Sequence, residues 1–578
     1  MITSLNTHYS FLLGYAKPKE FLKQYANYGY KTCAISDYNS LSGSVNFSKN
    51  CNSNGINPVI GSRVRICDED NNPIGYIALY AINKTGWFEL VKITSSIYMV
   101  DHECVTLESL RDCKNIVALI NGTDFIVSEK YLRKAKDIFE DRLYVGIDTR
   151  NLSYAQNRLK YDELRAIGDK LNCKIIASPL IAYSDKSDKN DHLTLYSSNL
   201  GITSNEWSEC YDPMFSQFYN GDYSLPSSIT GYSVDEMKNL EEFENLFEKF
   251  SILEKPSMPD FICPNNMSQK DYLRFLCREG WKKKFGNKIL TAEEKQVYVD
   301  RVNYELDVIG RAGLDGYFLI VQDYVNWCKD QKWLIGCSRG SAGGCLVSYL
   351  INITSIIDPI KYSLIFERFY NDGRNTADRI SFPDIDVDFP VCKRELVVEY
   401  IRETYGRDRV TQVMTLQSLQ GRGALKEVMR IHNACPPKMM DSITKNLPNK
   451  DKISDRLQES KEISIINWTL KYEPERISDY CTMNDDGSLS GQYAQYFEQA
   501  IKIERTYKTF GKHASALVIS KDPMINSCPM IREKNGNELI AGIEFSEMED
   551  LGKIKQDILG LKNLDVLMNV NDSLKGIN

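Results

Sequence analysis

Apolar and polar positions divide the first 250 residues into short strand-like runs separated by helical stretches. The strand-like runs are "KTCAISDY", "IGYIALYAI", "NIVALI", "RLYVGI" and "CKIIASPLIAY". The clearest helical stretch is "KPKEFLKQYANYG". Strands that alternate with helices are typical of folds in which helices cover a sheet. The pattern therefore predicts an α/β domain over residues 1–250.

The pattern changes at "LEKPSMPDFICPNN", whose three prolines predict a linker. Residues 269–330 then show helical periodicity, interrupted near "RAGLDG", and the apolar run "CLVSYLINI" predicts a helix after the Ser/Gly-rich "GCSRGSAGG". Residues 411–510 are helical and polar in pattern, with "NLPNKDKISD" as a predicted loop. Strand-like runs return in "HASALVIS" and "IKQDILGL". We therefore divide the chain into segments 1–250, 251–410, 411–510 and 511–578.

A second alternation lies in "RISFPDIDVDFP", where Asp384, Asp386 and Asp388 occupy every second position. In an extended strand these side chains would all point to one face. Like charges so close repel each other unless something positive lies among them. Two interpretations stay open from this pattern alone. One is a strand with a solvated acidic face, and the other is a site for a divalent cation such as Mg²⁺, which prefers carboxylate oxygens.

The segment "GCSRGSAGG" places small residues and one arginine just before the apolar run. Glycines let backbone N–H groups approach an anion, and a helix N-terminus favours negative charge. The segment lacks the G-x-x-x-x-G-K-[ST] pattern of a Walker-type loop. It predicts either a triphosphate site with Arg339 and Ser341 as polar contacts, or a tight helix start required by packing alone.

Composition limits the choice of function. A chain of 578 residues is long enough for three to four domains, and its 42% hydrophobic and 26% charged residues are typical of globular proteins. No apolar run approaches the ~20 residues that span a bilayer, and the first residues do not resemble a secretory signal. Sixteen cysteines are scattered without a C-x-x-C pair, which argues against a zinc ribbon and indicates a reducing, cytoplasmic location.

The net charge of −7 is unusual for a nucleic-acid-binding protein. Residues 271–440, however, contain 25 Lys and Arg against 22 Asp and Glu, a local excess of three positive charges. Phosphate groups are neutralised locally, so the acidic total does not exclude DNA as a partner.

Taken together, several of these segments resemble one protein family. The run from "WLIGCSRGSAGGCLVSYLINI" to "ISFPDIDVDF" resembles the palm domain of the C-family bacterial replicative polymerase, the DNA polymerase III α-subunit. The similarity begins at "YELDVIGRAGLDGYFLIVQDYVNWCKDQ" and continues in "YGRDRVTQVMTLQSLQGRGALKEVMRI", "TFGKHASALVIS" and "IKQDILGLKNLDVL". It implies a polymerase-β-like nucleotidyltransferase palm in two parts, 251–410 and 511–578, with a helical thumb inserted at 411–510.

The resemblance also implies a chemistry. Two Mg²⁺ ions stabilise the attacking and leaving oxygens of nucleotidyl transfer. The implied catalytic and metal-binding residues are Asp384, Asp386 and Asp557, with Asp388 as a supporting acid. The implied nucleotide-binding residues are Arg339, Gly340, Ser341, Arg368, Lys512, His513 and Lys555. For Arg368, Lys555 and the Lys512–His513 pair a purely structural role stays open. The chain departs from the family at Cys337, Ser338 and Cys345, which bears on the geometry of the loop.

The N-terminal run "LNTHYSFLLGYAKPKEFLKQYANYGYKTCAISDYNSLSG" resembles the PHP (polymerase and histidinol phosphatase) domain, an α/β barrel. The family's metal ligands are mostly replaced here, by Asn6, Tyr38, Arg63, Leu180 and Ala182. His8, Asp37 and His192 are what remains of the set. A cationic side chain at Arg63 would repel a metal ion. We therefore expect a structural barrel without phosphoesterase activity.

These observations lead to two hypotheses. The first is a DNA-directed DNA polymerase acting on primed DNA and deoxynucleoside triphosphates in the cytoplasm of a bacterium or an infected bacterial host. The chain ends soon after Asp557, where the family continues with fingers and a clamp-binding region. We therefore expect a split polymerase, of viral origin, whose second polypeptide supplies those parts. The alternative is an inactive truncated paralogue that binds DNA or replisome proteins as a regulator or decoy.

Overall fold

The structure, a computed structural model, describes the chain except residues 101–102, 123–125, 260, 372, 374–381, 535 and 576–578. It forms two compact units. The first unit comprises Met1–Ile252, Thr415–Gly511 and Pro529–Gly542, and the second comprises Leu253–Met414, Lys512–Cys528 and Ile543–Asn578. Both units are therefore built from three separate stretches of chain. The domain assignment drawn from the sequence stays a prediction.

The first 252 residues alternate strands with helices, as the sequence pattern predicts. The strands are β1 (Ile2–Leu5), β2 (Thr32–Tyr38), β3 (Asn57–Cys67), β4 (Pro73–Ala81), β5 (Val105–Thr106), β6 (Ile116–Asn121), β7 (Leu143–Ile147), β8 (Lys174–Ala177) and β9 (Leu180–Ile181). The helices are α1 (Pro18–Asn27), α2 (Ser44–Ser53), α3 (Lys84–Ile97), α4 (Glu129–Phe139), α5 (Ala155–Lys170), α6 (Lys189–Leu200), α7 (Pro213–Asn220) and α8 (Val234–Glu244).

These strands form one mixed sheet in the order β8-β7-β6-β4-β3-β2-β1-β9, with β5 paired to β3. The two edge strands, β8 and β9, are joined by only Ser178 and Pro179. Three peptide steps span at most ~11 Å, so the sheet must curl until its edges approach each other. The hydroxyl of Ser178 also lies 2.8 Å from that of Thr3 on β1. The predicted α/β barrel is confirmed as a curled, barrel-like sheet.

The central part of the chain is mostly helical. Residues 253–414 begin with α9 (Gln269–Phe285), α10 (Ala292–Arg311), α11 (Asp315–Asp330), α12 (Leu346–Leu350), β10 (Val387–Phe389), α13 (Arg394–Tyr405) and β11 (Val410–Ser418). The chain continues with α14 (Gly421–Ile431), α15 (Pro437–Lys445), α16 (Lys450–Ser460), α17 (Ile465–Tyr472), β12 (Thr482–Met483), β13 (Leu489–Ser490), α18 (Ala494–Ile503) and β14 (Tyr507–Ile519). It ends with β15 (Met530–Arg532), β16 (Leu539–Glu544), β17 (Ile554–Gly560) and α19 (Lys562–Lys575).

Three local predictions need correction. The helical pattern of 269–330 has a second break before α10, where Thr291 and Glu294 form a capping box. The predicted loop "NLPNKDKISD" becomes helical from Lys450, because Ile453 packs against Ile465 and Trp468 while its other faces are polar. The apolar run after the Ser/Gly segment forms only the five-residue helix α12.

The second unit places its sheet against α11. Strand β17 pairs in parallel with β10 and antiparallel with β14, giving the order β10-β17-β14-β11. Its core joins Phe318 and Val321 of α11 to Val387, Leu517 and Ile558 of the strands. None of the helices in the described ranges combines the length and apolar character needed to cross a bilayer.

Candidate metal and nucleotide site

Two neighbouring strands of the second unit carry the predicted acidic residues. Val387 of β10 pairs with Ile558 of β17 in parallel register. The residues one position earlier, Asp386 and Asp557, therefore lie side by side. On β17, Ile554, Gln556 and Ile558 are buried while Lys555 and Asp557 are half-buried, since successive side chains of a strand point to opposite faces. The fold thus brings Asp557 to residues that precede it by more than 170 positions.

The segment around the three aspartates is only partly a strand. Strand pairing begins at Val387, and residues 384–386 precede it. The observed strand is therefore shorter than the sequence predicts. Pro383 has no N–H for a strand ladder, and its carbonyl instead accepts a hydrogen bond from the Tyr317 hydroxyl at 2.8 Å. Exposure still alternates along the segment. Ile385 and Val387 are buried, whereas Asp384 is exposed and Asp386 is half-buried.

Arg339 of the Ser/Gly segment lies among these carboxylates. Its Nη2 is 2.9 Å from Oδ1 of Asp386, and its Nε is 3.4 Å from Oδ1 of Asp388. The N–H of Gly336 donates to the carbonyl of Asp388 at 2.9 Å, which fixes the segment to β10. Gly340 has φ +68°, and a Cβ there would lie 3.3 Å from Asp386 Oδ2. Two motifs that the sequence suggested separately therefore form one site.

Burial and the neighbouring charges both act on the carboxyl group of Asp386. Burial raises the pKa of Asp386, and the charges of Asp557, Asp384 and Asp388 raise it further, while Arg339 opposes the shift. Oδ1 of Asp557 is buried and has no hydrogen-bond partner among the described residues. An unsatisfied buried acceptor is costly unless a cation or donor joins it. The site therefore has acceptor capacity that the protein itself does not fill.

The donor set fits a hard divalent cation, but its side chains are not gathered around one point. Within the described ranges, no three Asp, Glu, His or Cys side chains are arranged so that they could hold a metal ion together. Arg339 is the cation that lies on Asp386 and Asp388 instead. The carboxylate oxygens of Asp384, Asp386 and Asp557 would hold a metal ion once these side chains rearrange.

The Ser/Gly segment is supported by two residues that the sequence did not indicate. Residues Gly340–Gly344 form a 3₁₀ turn before α12. The buried carboxylate of Glu305 accepts hydrogen bonds from the N–H groups of Leu346 and Val347 at 3.0 and 2.8 Å. Arg301 donates to the carbonyls of Gly344 and Leu364 at 2.9 and 3.0 Å. Glu305 therefore already occupies these two amides of α12, and the expected role of the Ser/Gly segment in anion binding stays a prediction.

Lys555 and His513 approach the same aromatic ring. Lys555 Nζ lies 4.9 Å from the ring centre of Phe545 and 3.1 Å from Glu549 Oε1. The rings of His513 and Phe545 are 5.0 Å apart. His513 Nδ1 accepts the N–H of Ala516 at 3.0 Å, so its orientation is fixed by the backbone. Phe545 and Glu549, which hold the pair, were missed because single aromatic and acidic residues carry no sequence signal.

The other predicted nucleotide contacts lie on the surface of the second unit. Arg368 ends a 3₁₀ turn, Phe366–Arg368, and is exposed. Its neighbour Glu367 accepts a hydrogen bond from the Tyr304 hydroxyl at 2.8 Å. Ser341 is exposed and Lys512 is half-buried. The structure brings Arg339, Gly340 and the three aspartates together, and does not by itself assign the remaining residues to a nucleotide.

The side chains at the positions that resemble PHP metal ligands make hydrogen bonds or ring contacts with other residues of the first unit. Asp37 accepts hydrogen bonds from the N–H and hydroxyl of Thr7 at 2.7 and 2.8 Å, and from the Ser10 hydroxyl at 2.7 Å. His192 Nε2 lies 2.8 Å from the carbonyl of Leu13. The ring of His8 stacks on that of Tyr507, with centroids 4.3 Å apart. Arg63, only 1% exposed, lies by the ring of Tyr38.

Comparison with protein families decides the membership of the chain. A family model described as "Bacterial DNA polymerase III alpha NTPase domain" matches residues 271–560, half of the chain. The chain belongs to the bacterial DNA polymerase III α-subunit family. A PHP domain model matches residues 4–150. The resemblance noted in the sequence, a C-family α-subunit with an N-terminal PHP domain, is therefore confirmed.

Individual α-subunits are similar to the chain along almost its whole length. It is 30% identical to DNA polymerase III subunit alpha of Aquifex aeolicus over 99% of this chain and 52% of that one. The proteins of the same name from Pseudomonas aeruginosa and Bacillus subtilis are 27% and 26% identical, over 97% and 99% of this chain. The chain spans about half the length of these relatives, 48% and 49% in the last two cases.

Proposed function

We propose that the chain is the catalytic part of a DNA-directed DNA polymerase. It would add deoxynucleotides to the 3′-OH of a primed DNA template in the cytoplasm of a bacterial cell. The observation that carries the proposal is the side-by-side placement of Asp386 and Asp557, with a buried oxygen of Asp557 that no described residue hydrogen-bonds. In this assignment the second unit contains the palm, and residues 411–510 are the thumb.

Asp384, Asp386 and Asp557 would hold two Mg²⁺ ions. When bound, the ions activate the primer 3′-OH and stabilise charge on the reacting phosphate. The exposed Asp384 is the most accessible of the three to an incoming ion–nucleotide complex. Asp386 and Asp557 are carried by the neighbouring β10 segment and β17, which limits how far they can move apart.

The basic residues around the carboxylates would bind the triphosphate. Lys555 shares a strand face with Asp557, since the two are separated by one residue on β17. The backbone of Gly340 and Ser341 and the side chain of Arg368 supply further N–H donors at the surface. Glu305 and Arg301 act on the nucleotide only indirectly, by fixing the turn that presents these groups.

We propose further that full activity needs a second polypeptide carrying the fingers and clamp-binding region. The support is that the relatives are about twice as long as this chain. The test is primer extension on primed DNA with Mg²⁺, using the chain alone and the chain mixed with the C-terminal half of a relative. Extension only in the mixture supports a split enzyme.

The active-site assignment has its own test. Asp386→Asn should abolish extension without unfolding the chain, while Asp307→Asn, at an exposed position of α10, should extend normally. If wild type never extends a primer in any combination, yet remains folded and binds DNA, the regulatory paralogue becomes the better description. The observation that favours the regulatory paralogue is that no three possible ligands are gathered around one point within the described ranges.

A further inference from the structure

We infer that Arg339 is a displaceable internal counter-cation, which neutralises Asp386 and Asp388 before metal binds and leaves when a divalent ion arrives. The inference rests on the proposed function of this site. It assigns to Arg339 a step that precedes nucleotide binding.

The position of the guanidinium group supports this role. It contacts carboxylates two residues apart, at 2.9 and 3.4 Å, and so lies across the acidic face of the β10 segment. Within the described ranges these two carboxylates are its ion-pair partners. A metal ion bound to either oxygen of the Asp386 carboxylate would lie within a few ångströms of the guanidinium group, which contacts Oδ1. Two cations a few ångströms apart repel each other, so both cannot stay there.

The charge balance gives the reason for such a group. Asp384, Asp388 and Asp557 are three carboxylates close enough for their charges to act on Asp386. Of these four, Asp386 and Asp388 are in ion pairs among the described residues, and Arg339 is the cation in both. Without metal, loss of Arg339 would leave like charges unopposed.

Arg339 can leave without a change in the fold. Its side chain is 40% exposed, and its backbone is extended at φ −133° and ψ 146°. A change of side-chain rotamer therefore moves the guanidinium away, while Gly336 keeps the segment hydrogen-bonded to Asp388. This contrasts with Arg301, whose guanidinium is held by two carbonyls and Glu305. The displaced guanidinium would lie at the surface beside Gly340 and Ser341, where the triphosphate is proposed to bind.

The test measures Mn²⁺ binding by electron paramagnetic resonance, with the full chain and no nucleotide or DNA. Arg339→Gln should bind Mn²⁺ about threefold to tenfold more tightly than wild type, because the ion no longer competes with a guanidinium. Arg339→Lys keeps a displaceable charge and should stay within about twofold of wild type. Lys295→Gln, at an exposed position of α10, removes a positive charge outside these ion pairs and should leave the affinity unchanged.

Two controls separate this inference from the proposed function. Asp386→Asn should abolish tight Mn²⁺ binding in the wild-type and Arg339→Gln backgrounds alike, and persistence of binding would overturn the metal site itself. If Asp386→Asn abolishes binding but Arg339→Gln binds Mn²⁺ no better than wild type, the counter-cation role is wrong. If Arg339→Gln does not fold, an Mn²⁺ affinity of Arg339→Lys more than tenfold below that of wild type would likewise contradict it.

Discussion

Each unit of the molecule carries an aspartate on a strand of its sheet, Asp37 on β2 and Asp557 on β17, and the two carboxylates differ in their hydrogen-bond partners. In the first unit, Asp37 of β2 accepts three hydrogen bonds from Thr7 and Ser10. In the second unit, Asp557 of β17 has a buried oxygen with no hydrogen-bond partner in the described part of the chain, and Asp384 is exposed. A carboxylate filled by neutral donors of its own chain has little capacity left for a cation. The difference indicates which of two related-looking acidic positions is available for chemistry.

The arginines of the two regions differ in the same way. Arg63 of β3 is 1% exposed, whereas the side chain of Arg339 is 40% exposed. A buried guanidinium cannot leave without opening the fold, and a half-exposed one can leave by rotation. The first unit has a permanent cation near its former ligand positions, and the second has a replaceable one.

The largest expected effect is on primer extension, compared between two variants that each lose one aspartate, one in each unit. Asp557→Asn should lower primer extension by about 10³-fold or more, because it removes a charged metal ligand worth several kcal/mol. Asp37→Asn should extend at close to the wild-type rate at a temperature where circular dichroism shows it folded. Equal losses in both variants would contradict the comparison.

A second substitution tests whether a carboxylate in the second unit that is fully hydrogen-bonded within the protein contributes to stability. Glu305→Ala should destabilise that unit by about 3 kcal/mol, since it leaves Arg301 and two helix amides without their buried partner. Chemical denaturation measures the loss. Asp307→Ala, at an exposed position of the same helix, is the matched control and should change the free energy of unfolding by less than about 0.5 kcal/mol.

The first unit should show an acid sensitivity that comes from buried histidines. Burial lowers the pKa of His192 to about 4 and that of His8 to about 3. As pH falls below about 6.5, an unfolded histidine takes up a proton that the folded one refuses, so stability is lost on acidification. His192 accounts for about 2 kcal/mol of loss by pH 5.

His192→Gln can keep a donor to the Leu13 carbonyl but cannot titrate. Calorimetry of the full chain between pH 7 and pH 5 should therefore show a smaller loss of stability for this variant than for wild type, with the His8 contribution unchanged. An identical pH dependence in the two proteins would show that His192 is not held neutral.

The smallest expected effect is that of Mg²⁺ on hydrogen–deuterium exchange, which should differ between the two units. Mg²⁺ at about ten times its dissociation constant should stabilise the folded site by about 1.4 kcal/mol. Hydrogen–deuterium exchange should then slow by about tenfold in peptides covering β17 and remain unchanged in those covering β2. Slowing of both strands by Mg²⁺ would place a metal in the barrel as well.

Much of the fold and the acidic residues could be predicted from the sequence. Apolar runs gave β2, β4, β6 and β7 because buried strands need continuous apolar side chains. Asp384, Asp386 and Asp557 were indicated by short motifs that the family shares. The contacts of Arg339 could not be predicted, because they depend on how the Ser/Gly segment lies against β10.

The supporting residues were hidden for a different reason. Arg301 and Glu305 are an i,i+4 pair on α10, and such pairs usually lie on the surface of helices. Nothing in their spacing shows that Glu305 is fully buried under the Ser/Gly segment. In the same way, the first part of α16 was predicted as a loop because most of its residues are polar. Only a single apolar stripe, which includes Ile453 and Leu457, packs against the rest of the protein.

The discontinuity of the first unit has a consequence for its biosynthesis. Residues 415–511 belong to this unit, yet 162 residues of the second unit are made before them. At roughly 5–20 residues per second, the ribosome needs about 8–32 s to cross that interval. Meanwhile Tyr15 and Leu193 lack their later apolar partners Leu425 and Val428. During that interval the nascent barrel therefore exposes an apolar surface that chaperones can bind, until its last segments are synthesised.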